Sequence, residues 1–85
     1  MNHVIIYTTS SCPYCARAKV LLDKKGAGYE EVNVELDPAL REHMTKISGG
    51  RKTVPQIFIG ELHIGGCDDL YSLETQGKLD SLLKK

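Results

Sequence analysis

The chain has 85 residues, enough for one domain with a modest core, because a domain of this size buries only about 60–65% of its unfolded surface. Eleven Lys and Arg balance eleven Asp and Glu, so the formal net charge is zero and bulk charge indicates neither a nucleic-acid nor a membrane partner. We therefore predict a single domain spanning residues 1–85.

The amino terminus and the cysteine content bear on the compartment. Residues 1–7 lack a basic stretch followed by a long apolar segment, and no apolar run has the length of a membrane span. Three cysteines, two of them in Cys12-Pro13-Tyr14-Cys15, differ from the even-numbered framework of small secreted proteins. These features favour a reducing compartment, and we predict a cytoplasmic protein.

The chain begins with a predicted strand and helix. Residues 4–8 are β-branched and apolar on both alternating faces, which is typical of a central strand covered on both sides. Hydroxyls at residues 9–11 suit helix capping, and Pro13 suits the first turn of a helix that continues to about Lys25. Gly26 then ends this helix.

An edge strand and a second helix are predicted next. Residues 29–36 alternate between apolar and polar side chains, which predicts a half-buried strand. Its inner face would consist of Val32, Val34 and Leu36. Asp37 and Pro38 combine an N-cap with a first-turn proline, and apolar residues at helical spacing continue until Gly49.

The second half of the chain predicts a hairpin and two short helices. Residues 56–59 and 62–64 flank Gly60-Glu61, and glycine in the first position of a two-residue loop suits a type II′ turn between antiparallel strands. Leucines at helical spacing after residue 66 give two helical segments broken near Gly77. The order is βαβαββαα. We predict an α/β fold with a four-stranded mixed sheet and helices on both faces, because the βαβ start makes strands parallel and the hairpin makes them antiparallel.

Cys12 and Cys15 carry the clearest chemical signal. Two cysteines separated by two residues, where a strand leads into a helix, have sulfurs close enough to form a disulfide. At the helix start, unpaired backbone N–H groups and the positive end of the helix dipole stabilise a thiolate. Because the thiolate attacks disulfides, Cys12 is the predicted nucleophile and Cys15 the resolving thiol. Arg17 and Lys19 either add positive potential or are solvated surface charges.

A metal site and a hydrolase are alternative readings of the same pair. A four-ligand zinc site needs two more ligands at compatible spacing, and neither Cys67 nor the three histidines form a second metal-binding motif. A Cys/His hydrolase is disfavoured because no histidine can be assigned to the site and a second cysteine nearby would trap the nucleophile as a disulfide. We predict no metal ligands.

Three motifs, at residues 12–15, 53–55 and 65–69, occur in the order and spacing of dithiol glutaredoxins, and the chain resembles that family over essentially its whole length. It is most similar to short bacterial members of the glutaredoxin 3 kind. The resemblance implies a thioredoxin-like fold, reduction of protein–glutathione mixed disulfides and protein disulfides, and glutathione as co-substrate without a tightly bound cofactor. The implied partners are glutathione and glutathionylated or disulfide-containing proteins, ribonucleotide reductase being one family example, acting with a monomer.

The resemblance also implies a groove for glutathione. In the family the bond before the proline that matches Pro55 is cis, and Val54 would offer its N–H and C=O to the tripeptide, bound as a short extra strand. Gly66 permits close backbone approach. The amides of Cys67 and Asp68 would suit the γ-glutamyl carboxylate, with the Asp68 side chain facing the ammonium, unless Asp68 serves only as a helix cap.

Further contacts follow from the same resemblance. Tyr14 would flank the bound tripeptide, unless it is merely a partly exposed side chain. Thr53 would help to fix it, the alternative being an ordinary residue at a strand entry. The glycyl carboxylate needs a cation, and Arg41, Arg51 and Lys52 are equal candidates.

The chain departs from the family pattern at two places. Many relatives have lysine where this chain has Thr9, so a cation credited with stabilising the thiolate is missing and Cys12 depends more on the helix start. Residues 49–52 are one residue longer than in some relatives. Cys67 is read as a small buried residue, with a regulatory thiol as the alternative. The competing functions are a thioredoxin-like electron carrier and a module that binds an iron–sulfur cluster with glutathione.

Overall fold

The computed structural model describes residues 2–84, and the strands and helices follow the predicted order. They are β1 (Val4–Thr8), α1 (Pro13–Lys24), β2 (Tyr29–Asn33), α2 (Pro38–Ile47), β3 (Gln56–Ile59), β4 (Leu62–Gly65), α3 (Cys67–Thr75) and α4 (Leu79–Lys84). Met1 and Lys85, the two ends of the predicted domain, lie outside the described residues. Within residues 2–84, no helix is long and apolar enough to cross a membrane.

The sheet is mixed and has the strand order β2-β1-β3-β4. Strand β1 pairs in parallel with β2 and antiparallel with β3, which pairs antiparallel with β4. The predictions of an interior first strand and an edge position for β2 are confirmed. At the β3–β4 turn Gly60 has φ 60°, and Glu61, like every other non-glycine residue described, does not have a positive φ. A type II′ turn requires this combination, a positive φ at its first central residue and a negative φ at its second.

Two apolar clusters lie on opposite faces of the sheet, because successive side chains of a strand point to opposite sides. The larger one joins α1, α3 and α4 to the sheet through residues that include Val4, Ile6, Leu22, Ile57, Leu70 and Leu79. The smaller one joins α2 to the sheet through Tyr7, Val34, Met44 and Phe58. Helices therefore cover both faces, as predicted, and the end of β1 leads directly to the cysteine pair.

Strand β2 is shorter than predicted, and its apolar alternation does not continue to Leu36. The strand ends at Asn33, whose Oδ1 accepts the N–H of Glu35 at 2.9 Å, and Asp37 caps α2 four residues later. The chain therefore turns toward α2 after the buried Val34. Leu36 is 92% exposed, so its assignment to the inner face of the strand was wrong.

Candidate active site

Cys12 is the N-cap residue of α1. Its backbone is extended, with φ −122° and ψ 101°, and the helix proper begins at Pro13, which has no N–H to leave unpaired. The Cys12 sulfur accepts a hydrogen bond from the N–H of Cys15 at 3.0 Å. The prediction that hydroxyls at residues 9–11 cap this helix was wrong, because the sulfur occupies that position. A backbone N–H aimed at this sulfur stabilises a thiolate in the reduced protein.

Cys15 forms a disulfide with Cys12 and lies one turn further into the helix, with the two Cα atoms 5.1 Å apart. The two residues differ in exposure. Cys15 is only 1% exposed, whereas Cys12 is half-buried at the helix start. A substrate disulfide arriving from solvent therefore meets Cys12 first, and Cys15 is placed to react with what is attached to Cys12.

The Val54–Pro55 segment borders the Cys12 sulfur. The bond between these residues is cis, and Pro55 is buried where the chain enters β3. The carbonyl oxygen of Val54 lies 3.9 Å from the Cys12 sulfur. An extended peptide that pairs with the Val54 backbone would therefore lie beside the Cys12 sulfur.

A second helix start, that of α3, faces the same region. Its N-cap is Gly66, whose N–H donates to Oδ2 of Asp69 at 2.9 Å. The same carboxylate oxygen lies 3.2 Å from Nη1 of Arg51. The Gly66 N–H, and after it the Arg51 guanidinium, holds the pKa of Asp69 below its usual value.

Gly65 is a glycine for a steric reason. Its φ is +114°, which side-chain-bearing residues rarely adopt. A Cβ at this position would overlap the Asp69 carboxylate and would lie 2.8 Å from Nη1 of Arg51. The Arg51–Asp69 pair can therefore pack onto the backbone only because residue 65 has no side chain.

These segments form one open groove. The groove is lined by Tyr14, Arg51, Thr53, Val54, Pro55, Gly66, Cys67, Asp68 and Asp69. The structure thus brings together every residue that the family resemblance assigned to glutathione. It places them next to the cysteine pair through the Val54–Cys12 contact.

The three candidate cations are now separated in space. Arg51 lines the groove, whereas Arg41 and Lys52 line a different hollow beside α2. Nη2 of Arg41 donates to the backbone oxygen of Lys52 at 3.1 Å. The sequence alone could not separate them, because the choice depends on the path of the loop after α2.

Asp69 was missed by the sequence analysis. Its signal was present, because an acidic residue three positions after a helix-capping residue is the spacing at which a side chain reaches back to the cap N–H. The alternative in which Asp68 serves only as the helix cap was wrong. The cap contact belongs to Asp69, while Asp68 is exposed at the groove.

The cations near the cysteines are engaged elsewhere. The Arg17 guanidinium lies 5.6 Å from the centre of the Tyr71 ring, and Lys19 Nζ lies 3.1 Å from Oε2 of Glu31. The Thr8 hydroxyl, and after it Lys19, lowers the pKa of Glu31. These contacts agree with the reading of Arg17 and Lys19 as surface charges.

Cys67 occupies the first turn of α3 and is 4% exposed. It packs in the larger apolar cluster, and burial raises the pKa of its thiol above the ordinary value. A raised pKa leaves less thiolate at neutral pH, so this environment favours the reading of Cys67 as a small buried residue.

The fold and the cysteine pair define the chain as a dithiol oxidoreductase of thioredoxin-like architecture. The glutaredoxin family model matches residues 4–64. The chain is 57% identical over 84 residues to glutaredoxin 3 of Escherichia coli strain K12, covering 99% of this chain and 100% of that protein. The chain belongs to the glutaredoxin family and is a glutathione-dependent thiol–disulfide oxidoreductase, so the resemblance seen in the sequence is confirmed.

Solved structures agree with this assignment. The solution structure of glutaredoxin from Brucella melitensis has a TM-score of 0.87 and 62% identity, with 99% of this chain and 90% of that chain covered. A crystal structure of a buckwheat glutaredoxin–glutathione complex has a TM-score of 0.87 and 34% identity, with 96% and 76% covered. The thioredoxin-like fold predicted from the sequence is therefore confirmed.

Proposed function

We propose that Cys12 takes the glutathionyl group from protein–glutathione mixed disulfides, and that Cys15 is needed in addition only for the reduction of protein disulfides. The observation that carries this division is the pairing of a half-buried sulfur that accepts a backbone N–H with a second sulfur that is almost fully buried. The Cys12 sulfur can be reached by substrate and is stabilised as a thiolate. The buried Cys15 sulfur can react only with the neighbouring Cys12 sulfur.

The proposed reaction consists of two thiol–disulfide exchanges. The Cys12 thiolate attacks the glutathione sulfur of the mixed disulfide, the S–S bond breaks, and the substrate thiolate leaves and takes up a proton. The thiolate of a second glutathione then attacks the glutathione sulfur bound to Cys12. Oxidised glutathione leaves, and the Cys12 thiolate is regenerated.

A protein disulfide requires a different second step. After Cys12 attacks, the substrate remains attached through one sulfur, and the Cys15 thiolate displaces it by attacking the Cys12 sulfur. The substrate leaves as a dithiol, and the enzyme is left with the Cys12–Cys15 disulfide seen in the structure. Two molecules of glutathione then reduce this disulfide.

We assign the groove to glutathione, with Val54 pairing through its backbone and Tyr14 flanking the tripeptide. The amides of Cys67 and Asp68 would receive the γ-glutamyl carboxylate, and the Asp68 carboxylate would face the ammonium. The support for this assignment is the common position of these residues along the groove and the contact between Val54 and the attacking sulfur. Glutathione would enter and leave as a co-substrate, with no metal and no tightly bound cofactor.

Arg51 is the cation that we assign to the glycyl carboxylate, and Thr53 would add a hydrogen bond. The support is that Arg51 lines the groove, while the other candidates, Arg41 and Lys52, line the hollow beside α2. Gly66 and Pro55 also line the groove. Because Asp69 already holds Arg51 in place, the guanidinium does not have to be ordered when the ligand binds.

We further propose that the domain spanning residues 1–85 acts as a cytoplasmic monomer on glutathionylated and disulfide-containing proteins. Ribonucleotide reductase is a partner suggested by the family resemblance. The support is the cysteine usage and the zero net charge, which does not favour binding to nucleic acid.

Separate substitutions of the two cysteines test this function. Cys12→Ser should reduce glutathione-dependent turnover of a glutathionylated peptide to the background rate, because serine is not ionised at neutral pH. Cys15→Ser, the matched control, should retain that turnover and lose the reduction of a protein disulfide. Retained turnover in the Cys12→Ser protein, or equal loss of both activities in the Cys15→Ser protein, would contradict the assignment.

A further inference from the structure

Thr53 accepts hydrogen bonds from a polar side chain that is completely buried, that of Gln56. Gln56, at the start of β3, has no exposed surface. Its Nε2 donates to the backbone oxygen of Thr53 at 3.0 Å and to the Thr53 hydroxyl oxygen at 3.2 Å. Its Oε1 lies 2.7 Å from Nε2 of His63, on the neighbouring strand β4. The three side chains form a continuous hydrogen-bonded series from β4 to the groove.

The chemistry of the atoms fixes the direction of every hydrogen bond in this series. The Thr53 carbonyl can only accept, so the NH2 end of the Gln56 amide must face Thr53. The Gln56 oxygen then faces His63 and can also only accept, so Nε2 of His63 must carry the proton. Because the Thr53 hydroxyl oxygen accepts from Gln56, its own hydrogen is directed to another acceptor, and Thr53 lines the groove.

We propose that His63 and Gln56 are positioning residues that orient the Thr53 hydroxyl as a hydrogen-bond donor to a carboxylate of glutathione. The inference rests on the proposed assignment of the groove to glutathione. Each donated bond in such a series polarises the next, and burial of Gln56 keeps water from competing with it. Neither His63 nor Gln56 lines the groove, so both act through Thr53.

The surroundings of His63 hold its ring in place and are consistent with a hydrogen bond donated from its Nε2 to Gln56. The ring stacks on Phe58, with centroids 4.8 Å apart and planes at 28°. Burial, and after it the Arg51 guanidinium, lowers the pKa of His63, while Asp69 acts in the opposite sense. The neutral ring therefore donates one proton, to Gln56. Protonation of Nδ1 would leave the Nε2–H in place, so the series does not depend on the charge of His63.

Two substitutions of His63 separate the hydrogen bond from the packing. His63→Phe keeps an aromatic ring over Phe58 and removes the donor, whereas His63→Gln keeps a donor and removes the ring. His63→Phe should raise KM for a glutathionylated peptide about three- to tenfold, the effect of one neutral hydrogen bond, with kcat changed less than about twofold. His63→Gln should return KM toward the wild-type value. His43→Phe, on the exposed side of α2, is the control and should leave both constants unchanged.

A double-substitution cycle tests the coupling to Thr53. Thr53→Val retains the shape of the side chain and removes the hydroxyl, so adding His63→Phe to it should raise KM no further. The thiolate pKa of Cys12 should be the same in all variants. Independent effects of the two substitutions, an unchanged KM in folded His63→Phe protein, or a fall in kcat without a change in KM would each overturn the proposal.

The same measurements distinguish this proposal from the function on which it rests. If the wild-type protein turned over glutathionylated peptide and only the coupling failed, the positioning role would be wrong while the groove assignment stood. If the wild-type protein showed no glutathione-dependent turnover, the proposed function would be wrong. Should His63→Phe fail to fold, Gln56→Met provides the second variant, and it should raise KM at least as much because it removes both hydrogen bonds from Gln56 Nε2 to Thr53.

Discussion

The helices α1 and α3 both begin in the groove, but their first turns are capped in different ways. At α1 the capping atom is the sulfur of Cys12, which we also propose as the attacking atom. At α3 the capping atom is a carboxylate oxygen of Asp69, which reaches back from the third helical position to the Gly66 N–H. At α1 the N-cap side chain therefore accepts an N–H from within the helix, whereas at α3 a side chain within the helix accepts the N–H of the N-cap residue.

This difference shows how one physical property serves two purposes. The positive end of a helix stabilises negative charge in its first turn. At α1 that charge is the Cys12 thiolate. At α3 we propose that it is a carboxylate of the ligand, received by the amides of Cys67 and Asp68. The two starts also differ in how the backbone enters the helix, through Pro13 at α1 and through Gly65-Gly66 at α3.

Gly65→Ala should disturb the α3 start most strongly and leave the α1 start intact. Residue 65 has a φ that alanine rarely adopts, and the added Cβ would displace the Asp69 carboxylate and Arg51. The expected loss of unfolding free energy is about 1–3 kcal/mol, measured by urea denaturation. The matched control is Gly28→Ala, because a Cβ there meets no atom within 4 Å and should change stability by less than about 1 kcal/mol.

The same variant should separate binding from thiol chemistry. KM for a glutathionylated peptide should rise, because Arg51 and the α3 start are displaced, while the thiolate pKa of Cys12 should not change. A Gly65→Ala protein as stable as Gly28→Ala would show that the close packing at α3 is not required. A shifted Cys12 pKa would show that the two helix starts are coupled.

Asp69→Asn should have a smaller effect that depends on pH. The pKa of Asp69 in the folded protein lies below the ordinary value of 3.8, so its carboxylate stabilises the fold above pH 3.8. That stabilisation is lost as the pH falls through the folded pKa. The melting temperature of the wild type should therefore exceed that of Asp69→Asn at pH 6, and the difference should shrink below pH 3.8.

The neighbouring carboxylate provides the comparison for this experiment. Asp68→Asn should lower the melting temperature less at pH 6, because the hydrogen bond to Gly66 and the ion pair with Arg51 both belong to Asp69. A difference between wild type and Asp69→Asn that did not vary with pH, or that grew on acidification, would contradict the assigned cap.

Features set by neighbouring residues were predictable from the sequence. The β1–α1 junction depends on Pro13 following an apolar strand, and the β3–β4 turn depends on Gly60 between two short strands. The positions of Cys12 at the start of α1 and of Cys15 within it could likewise be predicted, because helix polarity follows from their order along the chain. The family resemblance named the other residues that meet at the groove except Asp69, but their spatial proximity required the fold.

Features set by distant contacts were not predictable. Leu36 was misassigned for a local reason instead: it continues the apolar alternation of β2, but the chain turns at Asn33, whose Oδ1 accepts the Glu35 N–H, before Asp37 caps α2. Arg51 differs from the other candidate cations because it lines the groove and contacts Asp69, eighteen residues away along the chain. The series from His63 to Thr53 joins two strands and a loop, so no local pattern indicated it.

The central claim is that Cys12 carries the glutathionyl group while the tripeptide lies along the groove. The most direct test is to treat the Cys15→Ser protein with oxidised glutathione, locate the adduct by peptide mass mapping, and record backbone amide shifts by NMR. We expect an adduct on Cys12, with the largest shift changes at Val54, Cys67 and Asp68. An adduct on Cys67 instead, or shift changes confined to residues outside the groove, would contradict it.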